Sequence, residues 1–391
     1  MKYLPRDFWG LTFADFVVRT GYQMGKTPLL PIFAAALGAS DAFLGMIVSV
    51  STLSGLVLKP FIGVLSDRWG RRLWLLIGTL FFVVVPFFYG WVRTPEQLFI
   101  IRIVHGISTA IYGPVTFAYI AERLPDSVAQ SLGWFGLARS GGYIFGPMIA
   151  GWLLLSYEPA VIFTIIGLLS TLAMLPVLRL TEPTERKQRE FPPILRQIRS
   201  ALAAGSRTPG IWLSGGVESG VFIALYTIKA FLPVYGLSAG ISVALIGLFF
   251  SVQEAVYIAT GPAGGWFGQK YGFSAAIRAG LIVLSLGIAA VPNCTGLAIM
   301  IPSILLGLAQ SLIFPSTAAL VTRQMPPENL GAGMGLVGMM ENLGKVIGPV
   351  ICGALIGLLG FQPVLYGLAA VLLIPIGVLA YSQMRLSKAG N

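Results

Sequence analysis

Residues 63–72 read Gly-Val-Leu-Ser-Asp-Arg-Trp-Gly-Arg-Arg, and this short polar stretch separates two long apolar runs near 42–65 and 73–92. Its last six residues carry four charges. A helix needs about 20 mostly apolar residues to cross the hydrocarbon core of a membrane, and both runs meet that length. Charged turns between such runs lie at the membrane surface, because polar groups are costly inside lipid. The stretch therefore predicts two membrane-spanning helices joined by a charged loop.

The composition extends this interpretation to the whole chain. Of the 391 residues, 56% are hydrophobic and 10% are charged, whereas soluble globular proteins are about 25% charged. The mean hydropathy is +0.83. These values exclude a water-soluble fold and a disordered chain. Two cysteines, Cys294 and Cys352, make neither a disulfide framework nor a metal cluster, and we expect no metal and no cofactor.

Apolar runs of spanning length recur along the chain. Most of their separators are short turns, but 180–209 is longer and rich in Arg, Lys, Glu and Pro. We therefore expect an all-α membrane protein with 12 transmembrane helices in two pseudo-symmetric six-helix bundles, residues 1–179 and 210–391, joined by a cytoplasmic linker at 180–209. The spans, numbered one to twelve, lie near 8–36, 42–65, 73–92, 97–121, 129–155, 160–179, 210–236, 243–267, 274–292, 296–322, 330–359 and 363–384.

The net charge of +11 follows from the expected orientation in the membrane. Most of the 26 Lys and Arg residues fall in loops on one side of the spans, whereas Arg93 alone falls on the other. Basic loops remain in the cytoplasm. Both termini are thus expected to be cytoplasmic, in a multi-pass protein of the cell inner (plasma) membrane. The lipid bilayer is then the partner of the basic residues, and no nucleic-acid partner is needed.

Helix-breaking residues repeat between the two halves. A shift of 202 residues superposes proline on proline and glycine on glycine at several positions. Shared kinks and close contacts of this kind predict one bundle built twice. Membrane folds made of two parallel six-helix halves are alternating-access transporters with the substrate site between the halves. The matched pairs include Pro31 with Pro233, Pro60 with Pro262, Gly63 with Gly265, Gly146 with Gly348, and Pro147 with Pro349.

The loop at 63–72 resembles the signature G-x-x-x-D-R-x-G-R-R of the major facilitator superfamily. In that superfamily the loop latches the cytoplasmic side, and the resemblance assigns the latching role to Asp67, Arg68 and Arg72. The aspartate can accept charge-assisted hydrogen bonds, and the arginines can pair with acids or anionic headgroups. The predicted cytoplasmic gate comprises Gly63, Asp67, Arg68, Gly70, Arg71 and Arg72.

A second resemblance lies in span four, where Arg102 and Gly106 match the superfamily motif R-x-x-x-G. The arginine of this motif is associated with proton coupling. A buried arginine costs about 3 kcal/mol on insertion scales, so it is seldom retained without a partner or a task. His105 is the only histidine in the chain and could titrate near neutral pH. The alternative for His105 is a hydrogen-bonded packing residue.

Span five contains a third motif, Gly142-Tyr-Ile-Phe-Gly146-Pro147, which resembles the antiporter motif of drug–proton exchangers in the same superfamily. Glycines four residues apart permit tight helix packing, and the Gly-Pro step kinks the helix. The motif recurs in span eleven, which weakens its value as a sign of export and favours a structural hinge in both halves. The predicted hinge and packing residues are Gly142, Gly146, Pro147, Gly344, Gly348 and Pro349.

Ionisable side chains inside the spans are the candidate functional residues, because charges in lipid are rarely retained without a role. Span one places four polar residues on one helix face, and the superfamily uses spans one, four, seven and ten to line its cavity. The predicted proton-coupling residues are Asp15, Arg102, His105, Glu218 and Glu254. The predicted cavity residues are Arg19, Tyr22, Lys26, Arg139, Lys229, Glu341, Asn342 and Lys345.

The carboxylates among these residues have competing interpretations. Asp15 lies one turn from Arg19, so a locked ion pair competes with a role as proton carrier. Glu218 and Glu254 have no cation one turn away in their own helices and are the better carriers on this ground. Pairs of opposite charge one turn apart are more often structural, which is the interpretation for Glu341 with Lys345.

The charges inside the spans are biased towards the positive. Lys59 lies near the cytoplasmic end of span two and can extend to the surface, so it is set aside. Six basic and four acidic residues then remain within the spans. Such a cavity favours an anionic or zwitterionic substrate.

Two functions compete at this point. The loop, the Arg102 motif and the Gly-Pro element favour proton-coupled export of small organic molecules or drugs by alternating access. The positive bias favours the alternative, a proton-coupled uptake symporter or exchanger for an organic anion. An enzyme is disfavoured, since one histidine cannot form an H-E-x-x-H zinc site. The expected partners are a small-molecule substrate and protons, and the chain is expected to be a monomer.

Overall fold

The computed structural model describes residues 5–182, 208–325 and 330–377, and within these ranges every regular element is a helix. The helices of the first half are α1 (Arg6–Lys26), α2 (Leu29–Ala36), α3 (Asp41–Trp69), α4 (Arg71–Phe88), α5 (Pro95–Arg123), α6 (Val128–Leu153), α7 (Pro159–Thr171) and α8 (Met174–Leu178). Those of the second half are α9 (Pro209–Ser238), α10 (Val243–Tyr271), α11 (Phe273–Ala290), α12 (Met300–Gln324), α13 (Leu330–Leu359) and α14 (Phe361–Val371).

The twelve predicted spans each contain helix, which confirms the expected fold class: an all-α membrane protein of two six-helix bundles. Within the described ranges, nine helices are long and apolar enough to cross a membrane by length and composition. The remaining three spans are the first, the fifth and the last. Span one carries three charges and is broken into α1 and α2, while span twelve is described only as far as residue 377. Most of the predicted linker, residues 183–207, lies outside the described residues.

Local sequence explains where the helices start and stop. Proline opens α5, α7 and α9, at positions where the missing amide donor costs no hydrogen bond. The hydroxyl of Thr94 caps α5 by accepting from the amide of Gln97 at 3.4 Å. Span one breaks after Thr27 because Pro28 cannot donate the next helical hydrogen bond. The single predicted span 8–36 is therefore two helices.

The two halves share their turns as well as their helices. Gly70 ends α3 with φ +97° and Gly272 ends α10 with φ +95°. Gly38 and Gly240, which precede α3 and α10, also have positive φ, at 84° and 76°. Both pairs are 202 residues apart, the shift found in the sequence repeat. Positive φ strains any residue with a Cβ, so these turns require glycine in both copies.

Among the described residues, the hydrophobic core joins the halves at one end of the molecule and not at the other. A large cluster of buried side chains there contains residues of both halves, such as Leu30 and Leu44 with Phe231 and Ile246. At the opposite end the clusters are separate, one within the first half and one within the second. We call the joined end, where α3 and α10 begin, the closed end, and the other the open end.

Glycines bring the halves together at the closed end. Gly45 of α3 lies against the backbone of Pro349 in α13, and a Cβ at this glycine would collide with that carbonyl. Gly151 of α6 lies in the same way against Gly247 of α10. The hydroxyl of Ser49 donates to the carbonyl of Val346 across the first of these crossings, at 3.0 Å. Two helix crossings, α3 with α13 and α6 with α10, therefore seal the closed end.

Candidate functional site

A cavity of about 410 Å³ lies between the halves, midway along the helices. Helices α1, α3, α5 and α6 line it from the first half, and α9 and α13 from the second. Spans one, four and seven thus contribute as the resemblance implied, and spans two, five and eleven contribute as well. No residue of span ten, the fourth expected contributor, is in the described lining. Span ten is helix α12, and its Phe314 stacks on Phe222 of α9 with ring centroids 5.2 Å apart.

The structure brings most of the predicted cavity residues together. Arg19, Tyr22, Lys26, Arg139, Asn342 and Lys345 line the cavity. Lys229 and Glu341 lie outside its lining. The Lys229 ammonium lies over the Tyr226 ring, and the Glu341 carboxylate is bound by Lys345. The lining residues that the sequence analysis missed are Thr52, Gly55, Lys59, Thr109, Gly113, Pro114, Phe117, Tyr143 and Tyr226.

A signal for some of the missed residues was present in the sequence. Thr52, Gly55 and Lys59 follow helical spacing in span two, so these small or polar residues share one face of α3. Lys59, which the sequence analysis set aside, is among the residues that line the cavity. Gly55 and Gly113 flank its stem, and a Cβ at either glycine would lie 3.9 Å or 3.8 Å from Lys59 Cε. Their missing side chains leave the space that the lysine occupies.

Asp15 is held by two arginines behind the cavity wall. Arg139 of α6 donates to both of its carboxylate oxygens, from Nε at 2.9 Å and from Nη2 at 2.6 Å. Arg19, its neighbour within α1, is farther away at 3.7 Å. The Asp15 side chain is 1% exposed. A buried, bidentate pair is the strongest geometry available to these groups, so Arg139 is the principal partner of Asp15.

Tyr226 of α9 is surrounded by three lysines. The ammonium of Lys26 lies 4.7 Å from the ring centroid and donates to the Tyr226 hydroxyl at 3.3 Å. Lys229 and Lys345 lie 5.3 Å and 5.8 Å from the same centroid. Ammonium groups are attracted to the face of an aromatic ring at such distances. Because Lys26 belongs to the first half, this cluster is also a contact between the halves.

Arg102 and His105 lie deeper than the cavity, behind Tyr22. Arg102 is fully buried and donates from Nη2 to the hydroxyl of Ser51 at 2.5 Å. His105 Nδ1 is 3.0 Å from the hydroxyl of Tyr89. Arg102 Nε and His105 Nε2 have no hydrogen-bond partner within the part of the chain that is described. Tyr22 lines the cavity and packs edge-on against His105, with ring centroids 5.4 Å apart, so it separates the pair from the cavity.

Two further carboxylates of the membrane segments, Glu218 and Glu254, form no ion pair within the described part of the chain. Glu218 is 8% exposed and accepts a hydrogen bond from the hydroxyl of Thr317 at 2.5 Å. Glu254 is half-buried on α10. Among residues 5–182, 208–325 and 330–377, neither forms an ion pair within 4 Å. By contrast, Glu341 is bound by Lys345 one turn later in α13.

The charged loop at 63–72 is bonded within the first half. Arg71 is the centre of its network: it pairs with Asp67, donates to Glu122 at 2.7 Å and donates to the Ser66 hydroxyl at 2.6 Å. Arg68 is exposed. The resemblance assigned the latch to Asp67, Arg68 and Arg72, whereas the geometry puts Arg71 at its centre.

Glu182 adds a second restraint to the loop. Its carboxylate accepts from the amide of Arg71 at 2.6 Å and from the amide of Arg72 at 3.0 Å, which caps the first turn of α4. The Arg72 guanidinium donates to the carbonyl of Leu178 at 2.9 Å. All of these partners belong to the first half, as expected where the open end separates the halves.

Replacing Arg71 with glutamine is expected to lower the free energy of unfolding by about 1–2 kcal/mol, because Asp67 and Glu122 lose a charge-assisted donor. Arg68→Gln is the matched control: it removes an equal charge from the same loop at an exposed position. Thermal unfolding of both variants in detergent checks this. Equal midpoints for the two variants would contradict the central role of Arg71.

The two Gly-Pro motifs lie in the same packing position in each half. Gly146 of α6 faces α1, and a Cβ there would approach Gln23 Cβ to 2.6 Å. Gly348 of α13 faces α9, where a Cβ would approach the carbonyl of Ile223 to 2.5 Å. Gly142 and Gly344 extend these contacts by one turn, against Arg19 and Ser219. Each motif therefore fixes a helix of the interface to the first helix of its own half.

Comparison with known proteins places these features in a family. The family model described as Major Facilitator Superfamily matches residues 11–239 and 217–388. An uncharacterized MFS-type transporter of Methanocaldococcus jannaschii is 26% identical over 361 residues, which cover 91% of this chain and 93% of that protein. Multidrug resistance protein 1 of Bacillus subtilis is 27% identical over 352 residues, 84% of each chain.

Solved structures share the fold. A variant of the nucleoside transporter NupG superposes with a TM-score of 0.81 over 97% of this chain and 99% of its own, at 16% sequence identity. An identity this low shows a common fold and nothing about the substrate.

Proposed function

Since the chain belongs to the major facilitator superfamily and is a multi-pass membrane transporter, we propose that it exports small organic molecules in exchange for protons by alternating access. The observation that carries the proposal is the cavity of about 410 Å³ between two halves that are sealed at one end only. Transporters built from two repeats move one half against the other around a site at their interface. The size of the cavity suits a small organic molecule.

The similarity to multidrug resistance protein 1 of Bacillus subtilis supports export as the proposed direction, and the orientation gives the side on which the cargo would enter. The open end carries the charged loop at 63–72 and the ends of the linker, which the basic residues assign to the cytoplasm. On this assignment both termini are cytoplasmic and the cavity faces inward, the state in which an exporter takes up its cargo. In this proposal the protein works as a monomer in the plasma membrane. Residues 1–179 and 210–391 form its two bundles, and residues 180–209 form the linker between them.

Glu218 and Glu254 are the proposed proton carriers. Both belong to the second half, and neither is neutralised by an ion pair in the described residues. A carboxylate held away from cations in a dry site can accept a proton, whereas one bound by guanidinium favours its charged form. Asp15 is bound in that second way by Arg139, so its proposed contribution is to transmit movement between α1 and α6.

We expect Glu218→Gln to abolish transport driven by a pH gradient while substrate exchange without a gradient continues, because glutamine accepts the Thr317 hydrogen bond but carries no proton. The measurement uses inverted membrane vesicles with an acidic interior and a ligand selected by thermal-shift screening. Glu254→Gln tests the other candidate, and Glu158→Gln, at an exposed position before α7, is the control. Unchanged gradient-driven transport in both test variants would overturn these two assignments.

The second candidate function is proton-coupled uptake or exchange of an organic anion. The observation that favours it is the set of basic side chains in the cavity wall. The two candidates differ in direction, and the vesicle assay separates them: export accumulates substrate inside inverted vesicles when their interior is acidic, whereas a proton symporter then releases it.

A further inference from the structure

The wall of the cavity has an unbalanced charge. Five basic residues reach it, namely Arg19, Lys26, Lys59, Arg139 and Lys345. No Asp or Glu is among the lining residues of the described chain. From this imbalance, and resting on the proposed transport function, we infer that the substrate is an organic anion with a flat apolar body, whose charged group binds at Lys26, while Lys59 adds positive charge to the same cavity wall.

The carboxylates near the cavity do not neutralise all of these cations. Asp15 is engaged by Arg139 and, more distantly, by Arg19. Glu341 is engaged by Lys345. Lys26 and Lys59 have no carboxylate within 4 Å among the described residues. Unpaired charges in a membrane interior are costly and attract a counter-charge, and an anionic substrate supplies one.

Lys26 has free capacity to bind such a group. An ammonium has three donors, and the protein uses one of them on the Tyr226 hydroxyl at 3.3 Å. Lys26 is 7% exposed, so its ammonium group lies in a largely desolvated space. Charge-assisted hydrogen bonds are strongest in such a place. Because Tyr226 belongs to the second half, an anion on Lys26 lies at the junction of the halves.

Aromatic side chains supply the other part of the site. Tyr22, Phe117, Tyr143 and Tyr226 stand in the same wall, from α1, α5, α6 and α9. Rings of this kind provide flat apolar surfaces for stacking at low cost in side-chain entropy. A ligand that combines an aromatic body with one anionic group therefore matches both features of the cavity.

A lipophilic cation fits the same wall poorly. It would face basic side chains, and the nearest carboxylates are already bound to arginine or lysine. Like charges brought together in a desolvated site cost binding energy and thereby exclude a ligand. Glu218 and Glu254, the carboxylates without such partners, lie outside the cavity lining.

The test compares three ligands that share one ring system: naphthalene-2-sulfonate (negative), naphthalene-2-sulfonamide (neutral) and naphthylmethylammonium (positive). Binding to the full-length protein in detergent is measured by calorimetry without a pH gradient. We expect the sulfonate to bind tightest and Lys26→Gln to weaken it about tenfold, the effect of one lost charge-assisted hydrogen bond. Lys59→Gln is a second test variant, and Lys270→Gln, an exposed lysine outside the cavity, should leave binding unchanged.

Three results would overturn the inference. The ammonium compound binds as tightly as the sulfonate or tighter, the sulfonate does not bind, or the sulfonate binds Lys26→Gln and Lys59→Gln as tightly as the wild type. Thermal unfolding of each variant shows whether it is folded, and Lys59→Gln serves if Lys26→Gln is not. The result is independent of proton coupling. Anion binding without gradient-driven export would support the substrate class and contradict the proposed function. Gradient-driven export without anion binding would support the proposed function and contradict the substrate class.

Discussion

Replacing Asp15 with asparagine should lower the free energy of unfolding by about 3 kcal/mol, because it leaves the Arg139 guanidinium, which is only 14% exposed, without its counter-charge. Arg139 donates to Asp15 at 2.6 Å and 2.9 Å, and these bonds tie α6 to α1 next to the cavity. Asparagine keeps the size of the side chain but offers only one carbonyl oxygen and no charge. Thermal or denaturant unfolding in detergent measures the loss, and we expect transport to fall with it.

The matched control for this prediction is the double variant. Asp15→Asn combined with Arg139→Gln removes both charges together, so no uncompensated ion remains. If the pair is coupled as the geometry indicates, the double variant is more stable than the sum of the single losses predicts. Strict additivity, or an Asp15→Asn protein as stable as the wild type, would contradict the structural role of the pair.

Gly247→Val is expected to abolish most transport while the protein remains folded. A Cβ at Gly247 would collide with the carbonyl of Pro147 and lie 2.9 Å from the Cα of Gly151. These are backbone atoms of the other half, so they cannot rotate away. Forcing extra carbons into such a contact costs about 1–3 kcal/mol. This cost destabilises the conformation in which this end is closed, and it shifts the equilibrium between the two conformations of the transporter about tenfold or more away from it.

Two measurements check this prediction. The transport rate should fall about tenfold, and spin labels on α3 and α13 should report a longer distance across the closed end. Gly261→Val is the matched control, since Gly261 is on the same helix and a Cβ there would meet nothing within 4 Å. A normal rate and an unchanged distance in Gly247→Val would show that transport does not require this close contact.

The sequence predicted the fold because its signals are local. Apolar runs, a charged loop and repeated prolines and glycines are read along the chain, and each constrains its own segment. The loop at 63–72 identified the superfamily, which the family model and the related transporters confirm. The repeat also acts on each segment separately. Gly70 and Gly272 adopt similar positive φ values because each ends a helix in a turn of the same type.

The candidate site was predicted less completely, because side-chain pairing depends on how helices pack. Spacing within span one associated Asp15 with Arg19, but the stronger partner is Arg139, 124 residues away. Helical periodicity gives the face of one helix and cannot show which face of another helix it meets. For the same reason the sequence did not reveal Tyr226 as the centre of a lysine cluster, or Lys59 as a cavity residue.

Composition and the lengths of the apolar runs determined that this chain spans a membrane, because hydrophobic length acts on each segment separately. The internal repeat and the resemblance of the loop at 63–72 then identified a twelve-span transporter built from two related halves. Only the tertiary structure decided which charges neutralise each other and which remain unpaired in the cavity. That decision depends on the rotation and crossing of helices from both halves, where glycine permits backbones to touch and where buried ions must find partners across helices.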